Sequence, residues 1–214
     1  MLNLLRTTRL AWLAVAAIVL AIGAAWYLPG AGAGSASAQN RAGTATAVFA
    51  GGCFWCTEAD FEKVPGVLSA VSGYTGGRTA DPTYEQVSAG GTGHYEAVRV
   101  TYNPAKVSYA QLVRHYFRTV DPLDNGGQFC DRGESYRTAI FTANAAERRI
   151  ADAERTRVNS QLRRKVATPL LNAGAFYPAE GYHQDYYKKN PVRYKYYRYR
   201  CGRDARLKEV WGKG

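Results

Sequence analysis

Methionine is all but missing from this chain. Of 214 residues only the initiator is methionine, so any folded part carries none. Such a part offers oxidants no thioether to turn into a sulfoxide, which suits a protein working among oxidants. Histidine is nearly as scarce. His94, His115 and His183 stand far apart and form no pair. With the cysteines spaced as they are, that argues against a zinc site, and no metal is expected. Acids are outnumbered, 17 against 28 bases, for a formal net charge of +11. No internal repeat or low-complexity block follows residue 43, which excludes a repeat array.

One hydrophobic run is long. Residues 11–28, AWLAVAAIVLAIGAAWYL, carry no charge, and Arg6 and Arg9 precede them. The sequence Ala36-Ser37-Ala38 then offers a signal-peptidase site before Gln39. Residues 1–38 therefore read as a secretory signal peptide cleaved after Ala38, or as a retained membrane anchor, since the run is close to bilayer-spanning length. Residues 39–45 read as a linker and 46–214 as the folded domain. Both readings place that domain outside the cytoplasm, periplasmic or otherwise extracytoplasmic. A basic balance can serve nucleic acid, but an exported domain rarely meets any, and none is expected as a partner.

Within the domain, short strands and helices interleave. ATAVFAGG (45–52) reads as a strand ending in glycines, and CFWCTEADFEKV as a helix, with Glu58 and Asp60 taken as acids near its start. VLSAVSGYTGG and YEAVRVTYNP read as strands, and ADPTYEQVSAGGTGH as a polar loop. SYAQLVRHYFRTVDP is an amphipathic helix in which Ser108 and Gln111 form a capping box. DNGGQFCDRGESY reads as a glycine-rich loop, YRTAIFT as a strand and NAAERRIADAERTRVNSQL as a more exposed helix. From residue 182 the chain is rich in Tyr and Arg, and Asn190-Pro191 is expected to break any helix there. The cadence favours a compact α+β sandwich.

The stretch GGCFWCTE sets Cys53 and Cys56 three apart with Phe54 and Trp55 between them. Cys53 falls at a strand-to-helix turn, where the helix N-terminus favours thiolate, the nucleophilic form. The two aromatics can wall an apolar pocket beside it, suited to an electrophile with a small apolar end. A thioredoxin-like dithiol built on Cys53 and Cys56 is the alternative enzyme. Four cysteines allow three full pairings, and the residues alone do not choose among them.

GCFWCTE, SGYTGG, PTYEQV, GTGHYEAVRVTYNP, FCDRGESYRTAIF and AFYPAEGYHQDYY resemble, in this order, the A-type peptide methionine sulfoxide reductases. The resemblance covers roughly residues 46–201. It implies a two-layer, ferredoxin-like α/β plait with a mixed sheet, here followed by what reads as a long irregular C-terminal tail. It also implies reduction of the S epimer of methionine sulfoxide, free or in proteins. Cys53 would be the nucleophile and Glu96 the acid that protonates the departing oxygen. Tyr84 and Tyr136 would hydrogen-bond that oxygen, Asp131 would help seat the substrate, and Phe54 and Trp55 would surround its methyl. A sulfenic acid on Cys53 would then be resolved by Cys201, the tail cysteine, or by Cys56, which stands where the common family pattern has glycine. Cys130 reads as a loop or core thiol, and His183 as a hydrogen-bonded structural residue. No bound cofactor is implied, only an external dithiol such as thioredoxin or a thioredoxin-like donor. A monomer is expected.

Overall fold

The structure, a computed structural model, describes residues 43–212. The expected leader, 1–38, lies outside the described residues. Strand β1 (Ala45–Gly51) buries Ala47 and Phe49 on one face and Ala50 on the other. It leads through Gly52 and Cys53 into helix α1 (Phe54–Phe61), then β2 (Val67–Thr75), a short helix α2 (Tyr84–Ala89), β3 (Tyr95–Tyr102) and helix α3 (Tyr109–Thr119). A two-residue hairpin follows, β4 (Gly127–Gln128) with β5 (Asp131–Arg132), then a 3-10 turn and β6 (Thr138–Thr142). Helix α4 (Ala145–Leu162), β7 (Leu170–Asn172), β8 (Phe176–Pro178) and helices α5 (Tyr186–Lys189), α6 (Pro191–Arg200) and α7 (Arg203–Trp211) complete the chain.

Six strands form one mixed sheet in the order β7-β6-β1-β3-β2-β8. Only the β6–β7 pairing is parallel. The larger core lies between one sheet face and the helices. Phe49, Val98 and Val100 meet Phe61 of α1 and Leu112, Val113 and Tyr116 of α3 there. Phe49 stacks on Phe61 with centroids 4.8 Å apart, and the buried Tyr116 hydroxyl donates to the Ala50 carbonyl at 2.7 Å. The second face carries a smaller cluster of Ala50, Tyr95, Ala97, Ala139 and Phe141.

Three expectations fail, each for a local reason. The loop read over 80–94 contains α2, because Thr83 accepts from the Gln86 amide and the Gln86 side chain accepts from the Thr83 amide, a full capping box. The C-terminal segment is not an irregular tail but three helices. Asn190-Pro191 starts α6 instead of breaking it, with Pro191 in the first turn where its missing N–H costs nothing. Glu58 and Asp60 do not favour the α1 start through its dipole. Both are buried: Glu58 accepts from the Asp185 amide at 2.7 Å, and Asp60 holds Arg198 at 3.0 Å and lies 3.8 Å from Arg203 Nε. They tie α1 to the C-terminal helices.

Gly52 makes the turn into α1 with φ at +78°, the left-handed region. A Cβ there would lie 2.5 Å from Cβ of Gln128, which is fully buried and bonded to both the amide and the carbonyl of Asp121. Gly52→Ala is expected to destabilise the fold by about 2 kcal/mol, from the left-handed strain and the clash together. The midpoint of urea unfolding reads this, and an unchanged midpoint contradicts it.

Candidate active site

Cys53 is the N-cap of α1. Its carbonyl accepts from the amides of Cys56 at 3.1 Å and Thr57 at 3.3 Å. The next free amide of this helix start, that of Phe54, does not point at the sulfur. It donates to Glu96 Oε2 at 2.9 Å, so a carboxyl from the middle strand β3 sits at the helix N-terminus. That one bond fixes Glu96 beside the residue that follows Cys53.

A cavity of about 110 Å³ opens here. All seven residues expected at the substrate line it: Cys53, Phe54, Trp55, Tyr84, Glu96, Asp131 and Tyr136, joined by Tyr197. Tyr84 and Tyr136 both line the cavity, and burial raises both phenols further above the ordinary range, so they remain proton donors. Phe54 is buried and tilts against Tyr74 and His183. Trp55 is held on three sides. Its indole N–H donates to His183 Nδ1 at 3.0 Å, its ring stacks on Tyr186 at 3.7 Å, and Tyr197 meets it edge-on. The Tyr197 hydroxyl in turn donates to Asp131 Oδ2. His183 is thus hydrogen-bonded as expected, and its work is to orient a pocket wall. Tyr186 and Tyr197 were not singled out by sequence reasoning. Their only sequence signal is membership of a segment holding many tyrosines.

Electrostatics sharpen the arrangement. Burial, with the nearby carboxylate of Asp131 and the Cys56 sulfur adding to it, pushes the Glu96 carboxyl up to about 8. Glu96 is therefore protonated at neutral pH. Burial likewise raises Cys53 well above the ordinary thiol value, helped by its hydrogen bond to Cys56 and by Glu96 and Asp131. The helix N-terminus favours a thiolate at Cys53, as the sequence suggests, while burial works against it. Cys56 shifts in the other direction. The hydrogen bond from Cys53, then Arg203 and Arg198, bring it down to about 7 against the effect of its burial. Arg203 is a fully buried guanidinium that donates to the Thr119 carbonyl at 2.7 Å.

Cys56 does not line the cavity. It packs behind it with Ala59, Tyr186 and Tyr194. Cys201 is joined by a disulfide to Cys130, which is exposed in the hairpin turn. The reading of Cys130 as a loop or core thiol is corrected accordingly. A span of 71 residues separates the two, too long for local sequence to reveal the pairing. The Cys201 sulfur lies 3.7 Å from Asp131 Oδ2, so the bridge sits against a residue of the cavity wall.

Residues 45–214 match the family described as Peptide methionine sulfoxide reductase. A peptide methionine sulfoxide reductase MsrA 2 of Caulobacter vibrioides is 57% identical over 79% of this chain and 86% of its own. The MsrA 2 protein of Rhizobium meliloti is 53% identical over 78% of this chain and 83% of its own. Among solved structures, methionine sulfoxide reductase A of Corynebacterium diphtheriae superposes with a TM-score of 0.63 at 33% identity, over 72% of this chain and 78% of its own. Reduced Mxr1 from Saccharomyces cerevisiae gives 0.67 at 30%, over 71% and 88%. With a family match over nearly all of the described residues and relatives more than half identical, the chain belongs to the peptide methionine sulfoxide reductase family.

Proposed function

We propose that this protein is an oxidoreductase that reduces methionine sulfoxide, of the S epimer, to methionine, and so repairs oxidised proteins. The observation that carries this reading is the convergence of Cys53 and a protonated Glu96 on a cavity with room for about a methylsulfinyl group. The substrate methyl lies between Phe54 and Trp55. Its oxygen accepts from Tyr84, Tyr136 and the Glu96 carboxyl. Cys53 attacks the sulfur as its own proton passes to Cys56, the neighbouring thiol in the first turn of α1, while Glu96 protonates the oxygen. The sulfoxide sulfur gains two electrons and leaves as a thioether. Cys53 loses two and keeps the oxygen as a sulfenic acid.

The Cys56 thiol then condenses with the sulfenic acid, giving a Cys53–Cys56 disulfide and water. Residues three apart on a helix are neighbours, so only the first turn of α1 has to loosen. A reduced Cys130/Cys201 pair takes over the disulfide by exchange, restoring both active-site thiols. The bridge between Cys130 and Cys201 fits that step, and exposed Cys130 is where an external dithiol of the thioredoxin type would collect the electrons. Resolution by Cys201 directly on Cys53 is the second reading, favoured by the nearness of Cys201 to Asp131 in the cavity wall. A general dithiol oxidoreductase has less support, because Cys53 and Cys56 are both buried from a protein partner.

The central strand order β6-β1-β3-β2, with α1 joining β1 to β2, supports the finer description of the fold as a ferredoxin-like plait. The leader features of residues 1–38 and the lack of methionine support action outside the cytoplasm, with residues 46–214 as the catalytic domain. The test is one turnover on fully reduced protein without reductant, followed by disulfide mapping. Given one equivalent of sulfoxide, wild type is expected to form about one methionine per chain and to end with Cys130–Cys201 bridged; excess sulfoxide is expected to give about two, with Cys53–Cys56 bridged as well. Cys56→Ser is expected to form the same methionine but to leave a Cys53 sulfenic acid that dimedone traps. No methionine from either epimer defeats the reductase reading, and a Cys53–Cys201 bond in the Cys56→Ser protein moves resolution to Cys201.

A further inference from the structure

Helix α6 carries Tyr197 into the wall of the cavity, and the residues beside Tyr197 on its surface have no internal role. Arg193, Tyr196, Tyr197 and Arg200 are spaced three and four apart, so they form one contiguous patch on the helix. Tyr197 is half-buried, while Arg193, Tyr196 and Arg200 are exposed. None of those three makes a hydrogen bond, ion pair or ring contact among the described residues. Three of the five large apolar side chains left exposed in the described residues, Val192, Tyr196 and Tyr199, lie on this one helix. Residues 186–200 hold six cations and no acid. Two of the six are paired: Arg198 is clamped by Asp60 and Asp204, and Lys188 by Glu62 and Asp185.

We infer that this patch of α6 is a docking surface for acidic polypeptide on either side of the oxidised methionine, so that the enzyme prefers sulfoxides flanked by Asp or Glu. The inference rests on the reductase reading above and names the substrate class of that site. The geometry suits it. Arg193 and Arg200 are two turns apart, about 10 Å along the helix axis. An extended chain covers that distance in about three residues. A sulfoxide side chain dipping past Tyr197 places its neighbours before and after it over the two guanidiniums. Arginine offers each carboxylate a two-pronged contact, and exposed Tyr196 between them offers a flat apolar rest for the peptide backbone. The mix of cations and aromatics also resembles a single-strand nucleic-acid surface. The shared patch with a cavity-lining residue favours polypeptide.

The experiment compares three substrates on the full protein: free methionine sulfoxide, a pentapeptide with Asp on both sides of the sulfoxide, and its Lys counterpart. The Asp peptide is expected to show a KM about fivefold below that of the Lys peptide, with similar kcat, at roughly 20 mM salt, and to lose that advantage at roughly 300 mM. Arg193→Glu with Arg200→Glu is expected to reverse the preference and leave the rate on free methionine sulfoxide unchanged. Reduction of free sulfoxide with no Asp preference, or with a preference that survives the double substitution, overturns the docking proposal and leaves the reductase reading standing. Failure to reduce any of the three removes both. Salt-sensitive binding of oligothymidylate that the double substitution abolishes, with no effect on the Asp peptide, would reassign the patch to nucleic acid.

Discussion

Cys53→Ser is expected to abolish methionine formation, by at least about 10³-fold in a single turnover, because a hydroxyl at the N-cap of α1 cannot take the oxygen as a thiol does. The size of the loss depends on whether another thiol can step in, and the structure answers that. Cys56 is nearly fully buried and faces Tyr186 and Tyr194, away from the cavity. Cys130 and Cys201 sit beyond Asp131. Serine keeps the size of the side chain, so the fold and the Phe54–Glu96 bond should survive. Mass-spectrometric counting of methionine per chain is the measurement. A Cys53→Ser protein within tenfold of wild type, paired with a dead Cys56→Ser protein, would exchange the roles of the two thiols.

Glu96→Gln is expected to lower single-turnover methionine formation by about 10²–10⁴-fold, the range for loss of a positioned general acid. Glutamine still accepts from the Phe54 amide, so geometry is kept and only the proton is lost. Wild-type activity on free sulfoxide should fall as pH rises through about 8, where Glu96 ionises, and the Gln protein should lack that limb. Stability should fall over the same rise in pH. Glu96 holds its proton more tightly folded than unfolded, so its contribution is fully present below the unfolded value near 4.5 and is lost as pH rises towards about 8. Glu96→Gln escapes that penalty and should melt higher than wild type above pH 8. A variant that loses activity and stability together at that pH would make Glu96 structural rather than catalytic.

Much of this site was legible before any coordinates, but unevenly. Ser108 with Gln111 announced α3 because a capping box is a local code. The same code in Thr83 and Gln86 passed unread amid glycines. Pro191 misled because proline stops a helix from within and starts one from its first turn, and only neighbours decide which. Cys53 and the cavity residues came from motif order. Their protonation did not, since burial is a property of the folded whole: the helix dipole argued for a Cys53 thiolate, while enclosure beside Glu96 and Asp131 argues against it. The Cys130–Cys201 bridge was beyond reach for the same reason, one of three pairings separated only by tertiary contact.

The hold on Trp55 has a consequence for how the protein comes into being. The indole belongs to the first turn of the first described helix, yet its hydrogen-bond acceptor lies 128 residues later, and Tyr186 and Tyr197 follow that. Synthesis runs from N- to C-terminus, so the reactive cysteine emerges early and the wall that gives it a substrate emerges last. A nascent or truncated chain ending before His183 contains every strand of the main sheet and the Cys53 thiol, but no fixed pocket. The pocket wall is thus complete only once the chain has been made as far as Tyr197, long after the thiol it serves.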